Sequence, residues 1–412
     1  MEKKTKVVNP KNKIKRSASF SLLEVIVIVI MTALVVGVSS SVIVYKNYNK
    51  INSDYSEEEK EGLDKFIEAY NNILESYVEK VDGEELIDEA IKAMYENLGD
   101  PYTGYLDKNT SSTLEEQLNG EYQGIGVEIV KEYNTGYILI MDVFEESPAN
   151  KAGLMPGDLI TEIDGESTVS KSAEEVSNSI KETLGKDVKI KYLRNDEEKT
   201  TTITVNNVII PSVNAENFNG VGYLQIETFS NTTYSQFKTA LELLEKENIN
   251  SLIIDVRDNT GGYLEAATKI TELFIEKGEI IYQLEKQGNI DRIHKDETEE
   301  HRDYEVAVLI NSNSASASEI LAAALRDSYG AKLIGQISYG KGTVQEQEKL
   351  DSGEILKYTT AYWLTPNGLK INNVGLVPDI EVELEDYEVY TYEVDTQLQK
   401  AIETVKWPFF NL

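Results

Sequence analysis

Apolar positions recur along this chain with two different periods, and the switches between them mark its elements. From Phe66-Ile67 through Tyr70, Ile73-Leu74 and Tyr77-Val78 the spacing is three and four residues, which predicts an amphipathic helix. Leu86-Ile87, Ala90-Ile91, Met94-Tyr95 and Leu98 repeat it, and Gly99-Asp100-Pro101 stops it. From about 110 to 207 the pattern shortens to strands, among them Gly126-Val127-Glu128-Ile129-Val130, Gly136-Tyr137-Ile138-Leu139-Ile140 and Val188-Lys189-Ile190-Lys191-Tyr192. Beyond 207, strands and helices alternate. Apolar runs at 220–226, 249–256, 306–310 and 331–335 read as strands, and 234–246, 265–274 and 320–325 as helices. That alternation predicts an α/β core with parallel strands. A last helix is expected over 395–406.

The start of the chain has neither period. Residues 22–44 are apolar except for Glu24, Thr32 and Ser39-Ser40-Ser41. As a helix they would span about 34 Å, enough for a hydrocarbon core of about 30 Å. Lys3, Lys4, Lys6, Lys11, Lys13, Lys15 and Arg16 precede them, with Glu2 the one acid of 1–16. The expectation is a transmembrane anchor over 20–45, with the basic arm 1–16 in the cytoplasm and the rest of the chain extracytoplasmic at the cell membrane. A cleaved signal peptide is the competing reading, but no A-x-A-like site is evident and the run is long for one.

Charge narrows the partners. The chain carries −32 in all, so with +6 on the arm the body holds −38 and repels phosphate backbones. Nucleic acid is therefore excluded as a partner. With no cysteine in 412 residues, thiol nucleophiles, disulfides and zinc–thiolate sites are excluded as well. His294 and His301 flank a charged run that reads as solvated loop, so neither a two-histidine metal site nor a Ser-His-Asp triad is well placed. No metal or cofactor is expected.

What remains is chemistry built on serine. The strand 306–310 runs into Asn311-Ser312-Asn313-Ser314-Ala315-Ser316-Ala317-Ser318-Glu319 and then a helix. A serine at such a helix mouth is exposed beside unpaired N–H groups that suit an oxyanion. The same S-x-x-E also fits a capping box with no chemistry in it. Gly261-Gly262 ends another strand in the same way. Gly340-Lys341-Gly342 offers an amine between two glycines, and lysine is a known base for serine nucleophiles. As a base it must be neutral, its pKa brought from about 10.4 towards 7–8. Gln345 shares a face with it and could orient the amine. Gly335-Gln336-Ile337-Ser338-Tyr339-Gly340-Lys341 also reproduces the start of a phosphate-binding P-loop, but Gly342 stands where the metal-holding Ser or Thr belongs.

Two resemblances organise these readings. Ser147-Pro148-Ala149-Asn150-Lys151-Ala152-Gly153-Leu154-Met155-Pro156-Gly157-Asp158, continuing to Asp164-Gly165, resembles a PDZ domain. Gly124-Ile125-Gly126-Val127 matches that family's loop for a peptide C-terminus, where glycines let N–H groups converge on a carboxylate and the peptide adds to the sheet edge as a strand. The remaining phrases are Leu98-Gly99-Asp100-Pro101-Tyr102, Asp255-Val256-Arg257-Asp258-Asn259-Thr260-Gly261-Gly262, the serine-rich turn, Tyr339-Gly340-Lys341-Gly342-Thr343-Val344-Gln345, Leu364-Thr365-Pro366 and Gly375-Leu376-Val377-Pro378-Asp379. In this order the chain resembles the C-terminal processing, or tail-specific, serine peptidases.

That resemblance implies Ser316 as nucleophile, Lys341 as general base and Gln345 as third member, with the backbone N–H groups of Gly262 and Ala317 as oxyanion donors and Gly261 as a substitute. The Leu98-Gly99-Asp100 phrase departs from the family's usual Leu-Asp and is expected to lie away from the chemistry. The expected fold class is α/β: a membrane-anchored chain with a stalk and helical region at 46–108, a PDZ-like β domain at 109–207, a crotonase-like peptidase core at 208–386 and a C-terminal helical segment at 387–412. The expected partner is a protein or peptide with a free C-terminus, besides the membrane, and the helices before the PDZ-like region could serve a homo-oligomer. A catalytically inert peptide-binding adaptor is the alternative function.

Overall fold

The computed structural model describes residues 55–384 and 395–406. One part of the expected architecture is corrected at once. Among the described residues no helix is long and apolar enough to cross a membrane, so the membrane-anchored fold has no support. The run assigned to an anchor, 20–45, lies outside the described residues, as does the basic arm.

The chain divides into units of residues 1–89 and 90–412. In the first, α1 (Glu57–Ser76) begins where the Ser56 hydroxyl accepts from the Glu59 N–H and the Glu59 carboxylate accepts from the Ser56 N–H. Within the region 46–108 expected as stalk and helices, residues 57–76 are therefore helix. α2 (Gly83–Glu96) follows and crosses into the second unit, ending before Gly99, whose φ of +66° stops it.

The second unit opens with β1 (Gly104–Leu106), α3 (Lys108–Asn119) and β2 (Glu121–Gly124). β3 (Val127–Lys131), β4 (Ile138–Val143), α4 (Pro148–Lys151), β5 (Leu159–Ile163), β6 (Glu166–Ser167), α5 (Ala173–Lys181), β7 (Asp187–Arg194) and β8 (Glu197–Thr204) form the β domain. Its antiparallel sheet runs β3-β4-β5-β7-β8, which leaves β3 as an edge strand. Ile138, Ile140, Ile160, Val188 and Ile190 alternate inward and bury a core of their own. β9 (Asn206–Ile209) returns to pair with β2.

Then come β10 (Val213–Asn217), β11 (Val221–Ile226), α6 (Thr233–Lys246), β12 (Ser251–Asp255), α7 (Leu264–Thr271), β13 (Ile280–Lys286), β14 (Asn289–Lys295), β15 (Glu305–Ile310), α8 (Ala317–Ala324), β16 (Lys332–Gly335), β17 (Thr343–Lys349), β18 (Ile355–Leu364), β19 (Ile380–Glu381) and α9 (Thr396–Lys406). The central sheet is ordered β10-β11-β12-β15-β16-β19, parallel from β11 onward. β12 is buried along its whole length, as continuous apolar runs in a two-sided parallel sheet require. α6, α7 and α8 cover one face through Phe237, Leu241, Ile270 and Leu321, and α9 covers the other through Leu398, Ala401, Ile402 and Val405. Burying each Leu or Ile contributes roughly 1.5–3 kcal/mol. α9 is also pinned by Arg257, whose guanidinium is shared between Asp255 and Asp395 at 2.6 and 2.7 Å.

The second sheet is antiparallel, β1-β18-β13-β14 with β17 on β18. It corrects the reading of His294 as solvated loop. The residue sits on β14, half-buried and stacked on Tyr282 with ring centroids 4.2 Å apart. His301 is exposed. The P-loop alternative also fails on structure, because Lys341 leads into strand β17 rather than a helix.

Candidate active site

Three parallel strands, β11, β12 and β15, deliver their C-terminal ends to one place, where open α/β sheets build their sites. Asn259 stitches these ends together. Its side chain donates to the Ile226 carbonyl (2.8 Å) and accepts from the Gly261 N–H (2.8 Å), while its carbonyl accepts from the Ala315 N–H (3.0 Å) and the Ser318 hydroxyl (2.8 Å). The Ser314 hydroxyl adds a bond to the Val256 carbonyl at 2.7 Å. Ser316 stands on top of this frame at φ +57° and ψ −115°, in backbone space that a non-glycine residue enters only when its surroundings force it. It opens α8.

The strain is held by Glu319. Its buried carboxylate accepts from the N–H groups of Ser316 (2.9 Å), Gly340 (2.7 Å) and Lys341 (2.9 Å) and from the Ser338 hydroxyl (2.5 Å). One side chain thus caps the helix and fixes the backbone of Ser316 and Lys341 relative to each other. Burial pushes its pKa up, and the four donors pull it back. The loop carrying Lys341 is clamped from outside as well: Gly340, at φ +86°, packs so closely on the backbone of Val374 and Gly375 that a Cβ would lie 2.8 Å from the Gly375 nitrogen. Trp363 Nε1 donates to the Lys341 carbonyl at 2.9 Å.

Ser316, Lys341, Gln345 and Gly262 all line one cavity of about 180 Å³, walled also by Ile320 and Trp363. A larger cleft of about 510 Å³ shares Leu118, Gly262, Leu264, Val344, Gln345 and Gln347 with it and extends to Tyr282 and His294. Burial lowers the pKa of Lys341, with help from the Lys357 cation, while Asp100 and Glu319 raise it; burial wins. Burial, then Arg292, lowers that of His294, which does not line the Ser316 cavity.

The N–H groups of Gly262 and Ala317 have no acceptor among the described residues. Gly262 adopts φ +133°, and a Cβ there would lie 2.1 Å from the Phe229 carbonyl oxygen, so only glycine fits. The Gly261 N–H is already given to Asn259, which removes it as a substitute donor. Gln345 Nε2 donates to the Thr343 and Thr359 hydroxyls, at 2.9 and 3.2 Å.

The phrase around Asp100 does not lie away from the chemistry. The Lys341 Nζ sits 4.6 Å from the centre of the Tyr102 ring, and Asp100 is close enough to hold Lys341 electrostatically. Asn259, Glu319, Asp100 and Tyr102 are the residues that sequence reasoning missed. The S-x-x-E phrase and Asp255-Val256-Arg257-Asp258-Asn259 carried a signal for two of them.

In the β domain, Gly124 pairs with Asn206 and Ile125 enters the domain core. Gly126, at φ +86°, leads into β3 at Val127. The Val127 N–H donates to the Tyr122 hydroxyl at 3.2 Å, and the Gly126 N–H faces the same oxygen. The loop therefore closes on a side chain of its own strand β2.

Comparison with known proteins follows the same division. Peptidase family S41 matches residues 220–382, the PDZ domain 123–205, and the family described as the activating protease CtpB N-terminal domain 34–110. The carboxy-terminal processing protease CtpB of Bacillus subtilis (strain 168) is 38% identical over 337 residues, covering 80% of this chain and 70% of its own. The carboxy-terminal processing protease CtpA of the same strain is 36% identical over 332 residues, covering 80% and 71%. A probable CtpA-like serine protease of Staphylococcus haemolyticus (strain JCSC1435) is 33% identical over 338 residues, covering 82% and 68%.

Proposed function

The chain belongs to peptidase family S41 as a C-terminal processing serine peptidase with a PDZ domain, and from that premise we propose that it cleaves protein tails by a Ser316–Lys341 acyl-enzyme mechanism. The observation that carries this reading is the shared cavity: Ser316 and Lys341, a residue whose amine is desolvated, line the same 180 Å³ space. Neutral Lys341 takes the Ser316 proton as Oγ attacks a backbone carbonyl of the tail. The oxyanion that forms is met by the N–H groups of Gly262 and Ala317, which have no acceptor among the described residues. Lys341 then gives its proton to the leaving amine, and water releases the acyl group by the reverse path. Gln345 acts through the threonine hydroxyls it holds rather than by direct contact with the amine.

The PDZ domain captures the tail. Its edge strand β3 is open to a further strand, and the Val127 and Gly126 N–H groups are the donors for the terminal carboxylate once Tyr122 yields them. Capture raises the effective concentration of the tail at the core. That the substrates lie outside the cytoplasm rests on the sequence alone, on the basic residues of 1–16 that precede the apolar run 22–44. An inert adaptor would leave the paired cavity and its unused N–H donors without a role.

Incubating the purified protein with a peptide ending in apolar residues tests the reading. Wild type shortens the peptide, while Ser316→Ala and Lys341→Ala each lower the rate about a thousandfold or more and keep the fold by circular dichroism. Substantial cleavage by either variant overturns it.

A further inference from the structure

The amine of Lys341 does not rest on Ser316. Its Nζ lies over the Tyr102 ring, and Asp100, which Lys341 reaches electrostatically, is the centre of a chain of hydrogen bonds. Asp100 Oδ2 accepts from the hydroxyls of Thr359 (2.5 Å) and Thr103 (2.7 Å), and Oδ1 from the Tyr102 N–H (3.0 Å). The Thr359 hydroxyl is in turn an acceptor for Gln345 Nε2 (3.2 Å), and the Thr359 N–H donates to the Thr103 hydroxyl (3.0 Å). The Tyr102 hydroxyl is tied to that of Tyr339 at 3.4 Å, on the loop that carries Lys341.

We propose that Asp100 and Tyr102 are positioning residues for the base: they form a seat that holds the Lys341 ammonium off Ser316, and Thr359 ties that seat to Gln345. The proposal rests on the Ser/Lys reading and deepens it. An aromatic face and a carboxylate attract an ammonium and have little hold on a neutral amine. Protonated Lys341 is therefore retained on the ring, and loss of the proton frees Nζ to cross the cavity to the Ser316 hydroxyl. The charged and titratable groups around Nζ come from several elements: Asp100 and Tyr102 from the segment after α2, Glu319 from α8, Tyr339 from the loop before β17, and Lys357 from β18. Glu319 spends its oxygens on four donors already, and Tyr102, pushed up to about 12 by burial first and then by Tyr339, is a neutral ring at working pH. Asp100 is thus the charge that favours the seated state, opposed by Lys357. Its own pKa is lowered by the Thr359, Thr103 and Tyr102 hydrogen bonds and by Lys341, which outweigh the larger single effect of burial, so it is ionised throughout the working range.

The test is the pH dependence of kcat/KM for tail-peptide cleavage. Asp100→Asn removes the charge and keeps the shape, so the acid limb moves to lower pH by about one unit. Tyr102→Leu removes the ring and keeps the carboxylate, and moves the limb in the same direction. A structural defect alone would lower the plateau and leave the limb in place. Limbs unmoved in both variants, with Lys341→Ala inactive, overturn the seat and leave the Ser/Lys reading standing. An active Lys341→Ala overturns that reading itself. Should Asp100→Asn fail to fold, Tyr102→Leu decides the matter alone.

Discussion

Glu319 shows how much one residue can hold. A buried carboxylate with three backbone donors and one hydroxyl around it reaches the backbone of both Ser316 and Lys341. Glu319→Ala strands those donors around a side chain that is itself fully buried, and each unpaired buried group costs about 1–3 kcal/mol. The expected loss is about 3 kcal/mol or more of unfolding free energy, read from urea denaturation, together with loss of cleavage. A variant as stable as wild type would mean that water replaces the carboxylate and that the strained Ser316 backbone needs no clamp. The sequence made this residue visible as the fourth letter of a capping box. It did not show its second duty, because the donors from Gly340 and Lys341 arrive from a different strand–loop unit. Asp100 was hidden for the same reason: a Gly-Asp-Pro phrase reads as a helix stop, and its partner Thr359 lies on β18, far along the chain.

At the scale of elements, the strands were legible where they are buried on both faces. β12 and β15 read directly from the apolar runs at their centres, because a parallel sheet covered by helices on both faces buries those positions; the buried Asp255 that ends β12 is paired with Arg257. β14 was not legible. It is an edge strand with most side chains in solvent, so its charged sequence mimics a loop while His294 turns inward against Tyr282. The PDZ loop was legible as glycines, but not its occupant. Since the Tyr122 hydroxyl takes the Val127 N–H, a tail carboxylate bound at this loop would have to displace it. Tyr122→Phe removes that competitor while keeping the ring, and should tighten binding of a free-acid peptide by about 2- to 10-fold, the worth of one neutral hydrogen bond. Fluorescence polarisation on the Ser316→Ala background, with a C-terminally amidated peptide as control, measures it. Equal affinity for both peptides would show that this loop does not receive the carboxylate.

At the scale of the whole molecule, the helical N-terminal region, the PDZ domain and the peptidase core were each announced by their own pattern. The expected anchor was not met with any spanning helix among the described residues. The core is a parallel sheet between two helical layers, and the site sits where its strand ends meet the second, antiparallel sheet, which supplies Gln345, Thr359 and Trp363. Such an arrangement brings Lys341 to the cavity that Ser316 lines only through tertiary structure. That explains why spacing in the sequence could pair Ser316 with Lys341 by resemblance but not by geometry.

The central claim is that a lysine with a depressed pKa activates Ser316. Its most direct measurement is the rate at which a fluorophosphonate labels the intact protein from pH 5 to 9, with the modified residue located by mass spectrometry. The label is expected on Ser316, at a rate that rises with pH as the Lys341 proton is lost and then levels off below the ordinary lysine range, with only slow labelling in Lys341→Ala. Labelling of another residue, or a rate on Ser316 that is flat across the range and unchanged in Lys341→Ala, would contradict it.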